Sequence, residues 1–195
     1  MSTLGSPPAD LDGFPTWQLT PDRPLFRIHR AHRTPWWFAS GGHGRFDLSS
    51  PRGTCYLAEH PVGAFLEALQ KAGIVIEPEE IRERRISRLF VPTEMSLAGC
   101  THSLARGYGL TGEVRTWSGE EGRRRTQEWA GAFARAGFAG IRYLLRHDTS
   151  QRQGGIALFG VAGEATWPVD STDALEADLV LEVTRRFGIR VATFD

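Results

Sequence analysis

Strand-length apolar runs and helical apolar stripes follow one another along this chain without regular alternation. Strict strand–helix alternation builds a parallel sheet, whereas an irregular mixture points to the α+β class. The strand readings are Leu25 to His29, Cys55 to Ala58, Ile86 to Val91, Gly140 to Tyr143, Gly155 to Val161 and Ile189 to Phe194. Three other stretches carry helical spacing. In Pro61 to Ala72, the residues Val62, Phe65, Leu66 and Leu69 fall at i, i+3, i+4 and i+7 and make one apolar stripe. Pro61 suits the first helical position and Gly73 a C-terminal stop. A second helix is expected from a capping-box spacing at Ser118 and Glu121 to about Ala136, with Trp129 and Phe133 on one face and Gly137 as its stop. A third is expected over Ala174 to Phe187, with Asp173 as a candidate N-cap. A chain of 195 residues fits one domain. A domain of that size buries roughly 70 % of its unfolded surface, so it needs neither disulfide nor metal to hold together.

Composition narrows the partners. Lys and Arg total 23 and Asp and Glu total 23, so no global field draws the chain to nucleic acid or to an anionic membrane. A small molecule or another protein is the expected partner. No apolar run reaches 18 residues, so no transmembrane helix is expected. Met1 to Asp12 lacks a basic segment followed by an apolar one, and a cytoplasmic location is the default expectation. Cys55 and Cys100 are too few for a disulfide scaffold. Cys55 lies in an apolar run and reads as a buried strand residue, since no partner histidine is placed for a catalytic thiol. The six histidines show no metal-ligand spacing, and no metal is expected. Residues 1–23, rich in Pro, Gly, Asp and Thr, read as a loose arm or wrapping segment ahead of a domain over 24–195.

Chemistry concentrates in a few places. Arg27 interrupts the apolar run between Phe26 and Ile28 and therefore points to the opposite face of its strand. It reads either as a strand arginine on a wet face or as a phosphate or ribose contact, which a guanidinium fork suits. Glu67 lies off the apolar stripe of its helix, with Gly63 and Ala64 one turn back. It is either a solvated surface carboxylate or one beside which a nucleotide ribose packs closely. Residues 30–53 read as a long loop region, and loops of that length are often functional. Within it Gly41-Gly42-His43-Gly44-Arg45-Phe46-Asp47 is either a plain turn or an amide cradle for phosphate, and it matches neither the P-loop nor the dinucleotide fingerprint. Arg123-Arg124-Arg125 reads as a solvated basic patch at a helix start, without the aromatic interleaving that nucleic-acid binding favours.

An ordered series of motifs goes further. Leu25-Phe26-Arg27-Ile28, Gly44-Arg45-Phe46-Asp47, Gly53-Thr54-Cys55-Tyr56-Leu57-Ala58 and Ala64-Phe65-Leu66-Glu67 resemble the N-terminal half of the RES domain. Gly140-Ile141-Arg142-Tyr143 and Gly155-Ile156-Ala157-Leu158-Phe159 resemble its C-terminal strand pair, so the resemblance spans roughly residues 24–165. It implies an ADP-ribosyltransferase-like fold, a mixed, twisted, antiparallel-rich sheet with flanking helices. It also implies degradation of NAD⁺ by hydrolysis or phosphorolysis, with water or inorganic phosphate as the attacking group. Several family members are toxins whose antitoxin blocks the active site, so an antitoxin protein is an implied partner.

Carried onto this sequence, the family's Arg, aromatic strand residue and Glu fall on Arg27, Tyr56 and Glu67, with Arg45 and Phe46 as substrate contacts. The family's Tyr-x-Ser-Arg pattern departs here to Tyr143-Leu144-Leu145-Arg146, so Leu145 stands in the serine position. Thr149 or Ser150 is the nearest substitute hydroxyl, and Ser150 is taken as a substrate contact. Asp47 stands where the family commonly has Asn. On this reading Glu67 stabilises the oxocarbenium character at the ribose carbon as nicotinamide leaves. Arg27 holds the pyrophosphate or ribose, and Tyr56 stacks on a ring. Two rivals remain open: transfer of ADP-ribose to a macromolecule, and a catalytically weak binding module, which the missing serine keeps open.

Overall fold

The computed structural model describes residues 4–69, 75–112, 114 and 119–192. Its centre is an eight-stranded sheet in the order β1-β7-β8-β9-β4-β2-β6-β11. These strands are β1 (Thr16–Leu19), β7 (Met95–Gly99), β8 (Gly140–Leu144), β9 (Gly154–Val161), β4 (Arg52–Ala58), β2 (Leu25–Arg30), β6 (Arg84–Leu89) and β11 (Val169–Ala174). Neighbouring strands are antiparallel except β7 and β8. That parallel pair needs a crossover, which α3 (Gly119–Arg135) supplies. Two small pairs complete the described strands: β3 (Trp37–Phe38) with β10 (Gly163–Glu164), and β5 (Val75–Ile76) with β12 (Arg190–Val191). The fold is α+β, as the irregular mixture of runs requires.

The helix α1 (Pro61–Leu69) forms where its stripe predicts, and Val62, Phe65, Leu66 and Leu69 are all buried. Each such side chain contributes about 1.5–3 kcal/mol when fully buried. The expected extension to Ala72 and the Gly73 stop lie outside the described residues, as does the Ser118 cap of α3. On α3, Trp129 and Phe133 are fully buried, and Phe14 packs on Phe133 with ring centroids 4.8 Å apart. Leu4, Leu11 and Phe14 are buried too, and Trp129 Nε1 donates to the Gly5 carbonyl at 2.9 Å. The first described residues therefore wrap the third helix before entering the sheet as β1.

The expected helix over Ala174 to Phe187 is corrected at its start. Val169–Ala174 is the edge strand β11, and Asp173 pairs with Ile86 of β6 instead of capping a helix. The helix α4 spans Ala177–Phe187, with Glu176 at its N-cap position. An edge strand carrying Asp170 and Asp173 resists pairing with other chains, and its polarity hides it from a search for apolar runs. A short helix, α2 (Pro78–Arg82), precedes β6.

The sheet has two unlike faces. Phe26, Ile28, Tyr56 and Ala58 belong to the cluster under α1, α3 and α4. Leu25, Cys55 and Leu57 belong to a second cluster behind the sheet, with Trp36, Phe38, Leu97 and Leu158. The seam between β2 and β4 has the fewest register partners in the sheet. Strands β4 and β9 pair through seven register partners, but β2 and β4 share one, Phe26 with Ala58. Beyond that pair the strands part at Arg27 and Ile28 on one side and Leu57 and Tyr56 on the other.

Candidate active site

The parting of β2 and β4 opens into a cavity of about 540 Å³, within the range of small-molecule sites. Arg27, Ile28, Tyr56 and Leu57 form its base, while Ala64, Glu67 and Ala68 of α1 form one wall. His43, Gly44 and Arg45 from the glycine-rich loop, Gly119 and Arg123 from the start of α3, and Arg146 and His147 after β8 close the remainder. Four arginines and two histidines thus face a single lining carboxylate. The balance of charge across the whole chain conceals this local excess.

Arg27 points away from Phe26 and Ile28, as strand alternation requires. Its Nη1 donates to the Pro35 carbonyl at 2.5 Å and the Trp37 carbonyl at 3.1 Å, and lies 3.1 Å from Cys55 Sγ. Two carbonyls therefore fix the guanidinium behind the seam, and Arg27 lines the cleft from there. Cys55 is fully buried, and burial pushes its thiol pKa up, so it is held as a neutral thiol and not a nucleophile. Glu67 is half-buried at the wall, off the apolar stripe, and the small side chains of Ala64 and Ala68 leave space beside it.

Tyr56 presents its ring to the cavity but its hydroxyl is committed. The hydroxyl accepts from the Phe46 N–H at 2.9 Å and donates to Asp47 Oδ1 at 2.8 Å. Burial, then the Asp47 charge, pushes its pKa well above the phenol range. Asp47 Oδ2 accepts the Gly44 N–H at 2.9 Å. Only glycine fits at 44, because a Cβ there would lie 2.3 Å from both the Tyr56 hydroxyl and Asp47 Oδ1. Gln127 of α3 donates to the carbonyls of Gly42 and Gly44 at 2.9 and 2.8 Å. The glycine-rich loop is therefore pinned: the Gly44 and Phe46 amides serve Asp47 and Tyr56 and are not offered as a phosphate cradle. Arg45 lies over the rings of Phe46 and Tyr143, 5.2 and 5.4 Å from their centroids, and donates to the Val114 carbonyl at 3.2 Å.

Two expected substrate contacts, Phe46 and Ser150, are not among the lining residues of the cavity. Phe46 is 1 % exposed and packs on Tyr143 at 5.0 Å between centroids, so it supports Arg45 from beneath and does not line the cavity. Ser150 turns away to Asp148, its Oγ donating to Oδ1 at 2.6 Å. Burial opposes ionisation of Asp148, yet hydrogen bonds from Ser150 and from the Gln153 and Arg152 amides hold its pKa below the usual value. That carboxylate organises the loop after β8. Leu145 is buried in the helix-side cluster, so the serine position faces the core.

Two residues escaped the sequence reading. The triple arginine at the start of α3 divides: Arg124 and Arg125 pair with Glu128, whereas Arg123 lines the cavity. Arg146 reaches it from beyond β8. Helical phase separates Arg123 from its neighbours, but only a known position for α3 says which phase faces the cleft. No three His, Cys, Asp or Glu side chains among the described residues gather to hold a metal ion. No helix among them is long and apolar enough to cross a membrane.

None of the curated proteins matches the sequence. A similar solved structure is described as the crystal structure of the M. tuberculosis MbcT-MbcA toxin-antitoxin complex. It is 15 % identical, with a TM-score of 0.65, over 90 % of this chain and 94 % of that one. At that identity the likeness concerns the fold. The sequence model of the RES domain matches residues 24–178, which take in every lining residue of the cavity, and the chain therefore belongs to the RES-domain family.

Proposed function

We propose that this protein degrades NAD⁺ by cleaving the bond between nicotinamide and ribose. The observation that carries the reading is the convergence of Arg27 and Glu67 on one cavity with three further arginines, Arg45, Arg123 and Arg146. A dinucleotide supplies what such a wall needs: a diphosphate for the guanidinium groups and a ribose for the carboxylate. Nicotinamide leaves as a neutral base, so the step requires no general acid. Positive charge develops at the ribose carbon, and the Glu67 carboxylate stabilises it. Arg27, fixed by two backbone carbonyls, holds its geometry without reorganising. The Tyr56 ring, whose hydroxyl is tied back, offers an aromatic face to a base. Water or inorganic phosphate completes the exchange at the ribose carbon.

Purified protein incubated with NAD⁺, with and without phosphate, is expected to release free nicotinamide, with ADP-ribose or its phosphate ester as the second product. Absence of turnover in both conditions, with folding verified, contradicts the reading. Label from NAD⁺ appearing on a macromolecule identifies transferase activity instead.

The similar structure is a toxin–antitoxin complex, and we extend the reading to a toxin role here, with a protein antitoxin covering the cavity. Expression is then expected to arrest growth as cellular NAD⁺ falls, and nicotinamide precursors to relieve it. Unimpaired growth with active protein present contradicts the toxin role alone.

A further inference from the structure

We propose that Tyr143 is a positioning residue for Glu67, its hydroxyl serving as the donor that fixes the carboxylate for catalysis. The role rests on the NAD⁺-cleaving reading above. Tyr143 sits in β8 and is 2 % exposed. Its ring packs against Phe46, at 5.0 Å, and against the Arg45 guanidinium, at 5.4 Å. Its hydroxyl oxygen is fully buried and makes no hydrogen bond of good geometry among the described residues. A buried hydroxyl without a partner is costly, and phenylalanine would fill the same apolar space without that cost.

The hydroxyl end is nevertheless accommodated by design of the neighbouring strand. Gly155 of β9 faces Tyr143 in register, and a Cβ at 155 would lie 2.6 Å from Tyr143 Cζ. The charged groups acting on the hydroxyl are Glu67 and Arg45, both lining residues of the cavity. Burial, and then the Glu67 charge, raises the Tyr143 pKa well above the phenol range, while Arg45 acts in the opposite direction. The phenol therefore keeps its proton at any working pH and can only donate toward a carboxylate. Glu67 stands off the apolar stripe of α1 and lines the cavity, so a donor at its flank would fix its side-chain direction.

Tyr143→Phe tests this with two readouts that move apart. Nicotinamide release is expected to fall about 100-fold in kcat, the scale of a misplaced catalytic group, with KM for NAD⁺ nearly unchanged. Melting temperature is expected to equal or exceed that of the wild type. A drop in melting temperature with kcat preserved assigns a structural role and overturns the proposal, as does a variant indistinguishable from wild type in both. Combining Tyr143→Phe with Glu67→Gln is expected to cost nothing beyond Glu67→Gln alone, because the tyrosine acts through the glutamate. Additive losses overturn it. Wild-type protein that releases no nicotinamide removes the NAD⁺-cleaving reading and this role together. Active wild type with an unaffected Tyr143→Phe removes this role alone.

Discussion

The two faces of the sheet meet at the same strands and solve opposite problems. Behind β2 and β4, Trp36, Phe38, Leu25, Cys55 and Leu57 close a fully buried layer. Trp167 packs edge-on to Trp36 and Phe38, at 4.9 and 5.3 Å between centroids. Trp36 Nε1 donates to the Pro168 carbonyl at 3.0 Å, so even its polar atom is satisfied. On the helix face the same strands carry Ile28 and Tyr56, but α1 answers them with Ala64 and Ala68, and the sheet opens. Large aromatics make the back a support. Small residues and a single shared register pair make the front a cleft. Arg27 joins them: it points toward the back, is anchored on carbonyls there, and lines the cavity through the seam.

This contrast can be broken from either side. The largest expected effect is on stability, from Trp36→Ala, which should cost about 3–5 kcal/mol because a close-packed layer cannot collapse onto the void. Urea titration measures it. A comparable loss at the front is catalytic: Glu67→Gln should reduce kcat about 100- to 1,000-fold while the melting temperature holds. A destabilised Glu67→Gln would mean that the front is built as a support as well. Next, Arg123→Ala should raise KM for NAD⁺ about tenfold, as for one charge-assisted contact, whereas Arg124→Ala leaves it unchanged. Equal behaviour of the two would remove Arg123 from the site.

The smallest effect concerns pH. His29 is buried behind Arg27, with Nε2 2.9 Å from Ser87 Oγ. Burial holds its pKa below the ordinary 6.5. The unfolded chain then binds more protons than the folded one as pH falls through 6.5, so His29 lends stability above that value and loses it below. His29→Gln should give a shallower decline of stability between pH 7 and pH 5, read by urea titration at each pH. A steeper decline would mean that the folded state favours the charged imidazole.

The sequence discloses elements whose burial is one-sided. The stripe of α1 is readable because Val62, Phe65, Leu66 and Leu69 all turn inward, and β4 because Cys55, Leu57 and Ala58 are all buried. Strand β11 is invisible because an edge strand of Asp, Ser and Thr carries no apolar period. Strand β7 is built on Leu97, Ala98 and Gly99, too small and too few to announce themselves. Within the candidate site, Arg27 shows itself by interrupting a strand, and the family resemblance adds Tyr56, Glu67 and Arg45. The structure places all four on one cavity. Phe46 and Ser150 fall outside the cavity lining, because adjacency in a motif does not say which way a loop side chain turns. Arg123 and Arg146 join through tertiary placement of α3 and of the segment after β8, which no local pattern encodes.

The NAD⁺-cleaving function requires one dinucleotide spanning the parting of β2 and β4. The most direct measurement is a crystal structure of Glu67→Gln protein briefly soaked with NAD⁺, since that variant should bind while cleaving far more slowly. The expected density has the diphosphate among Arg27, Arg45, Arg123 and Arg146, with the nicotinamide ribose beside residue 67. A dinucleotide bound elsewhere, or an empty cleft at saturating NAD⁺, contradicts it.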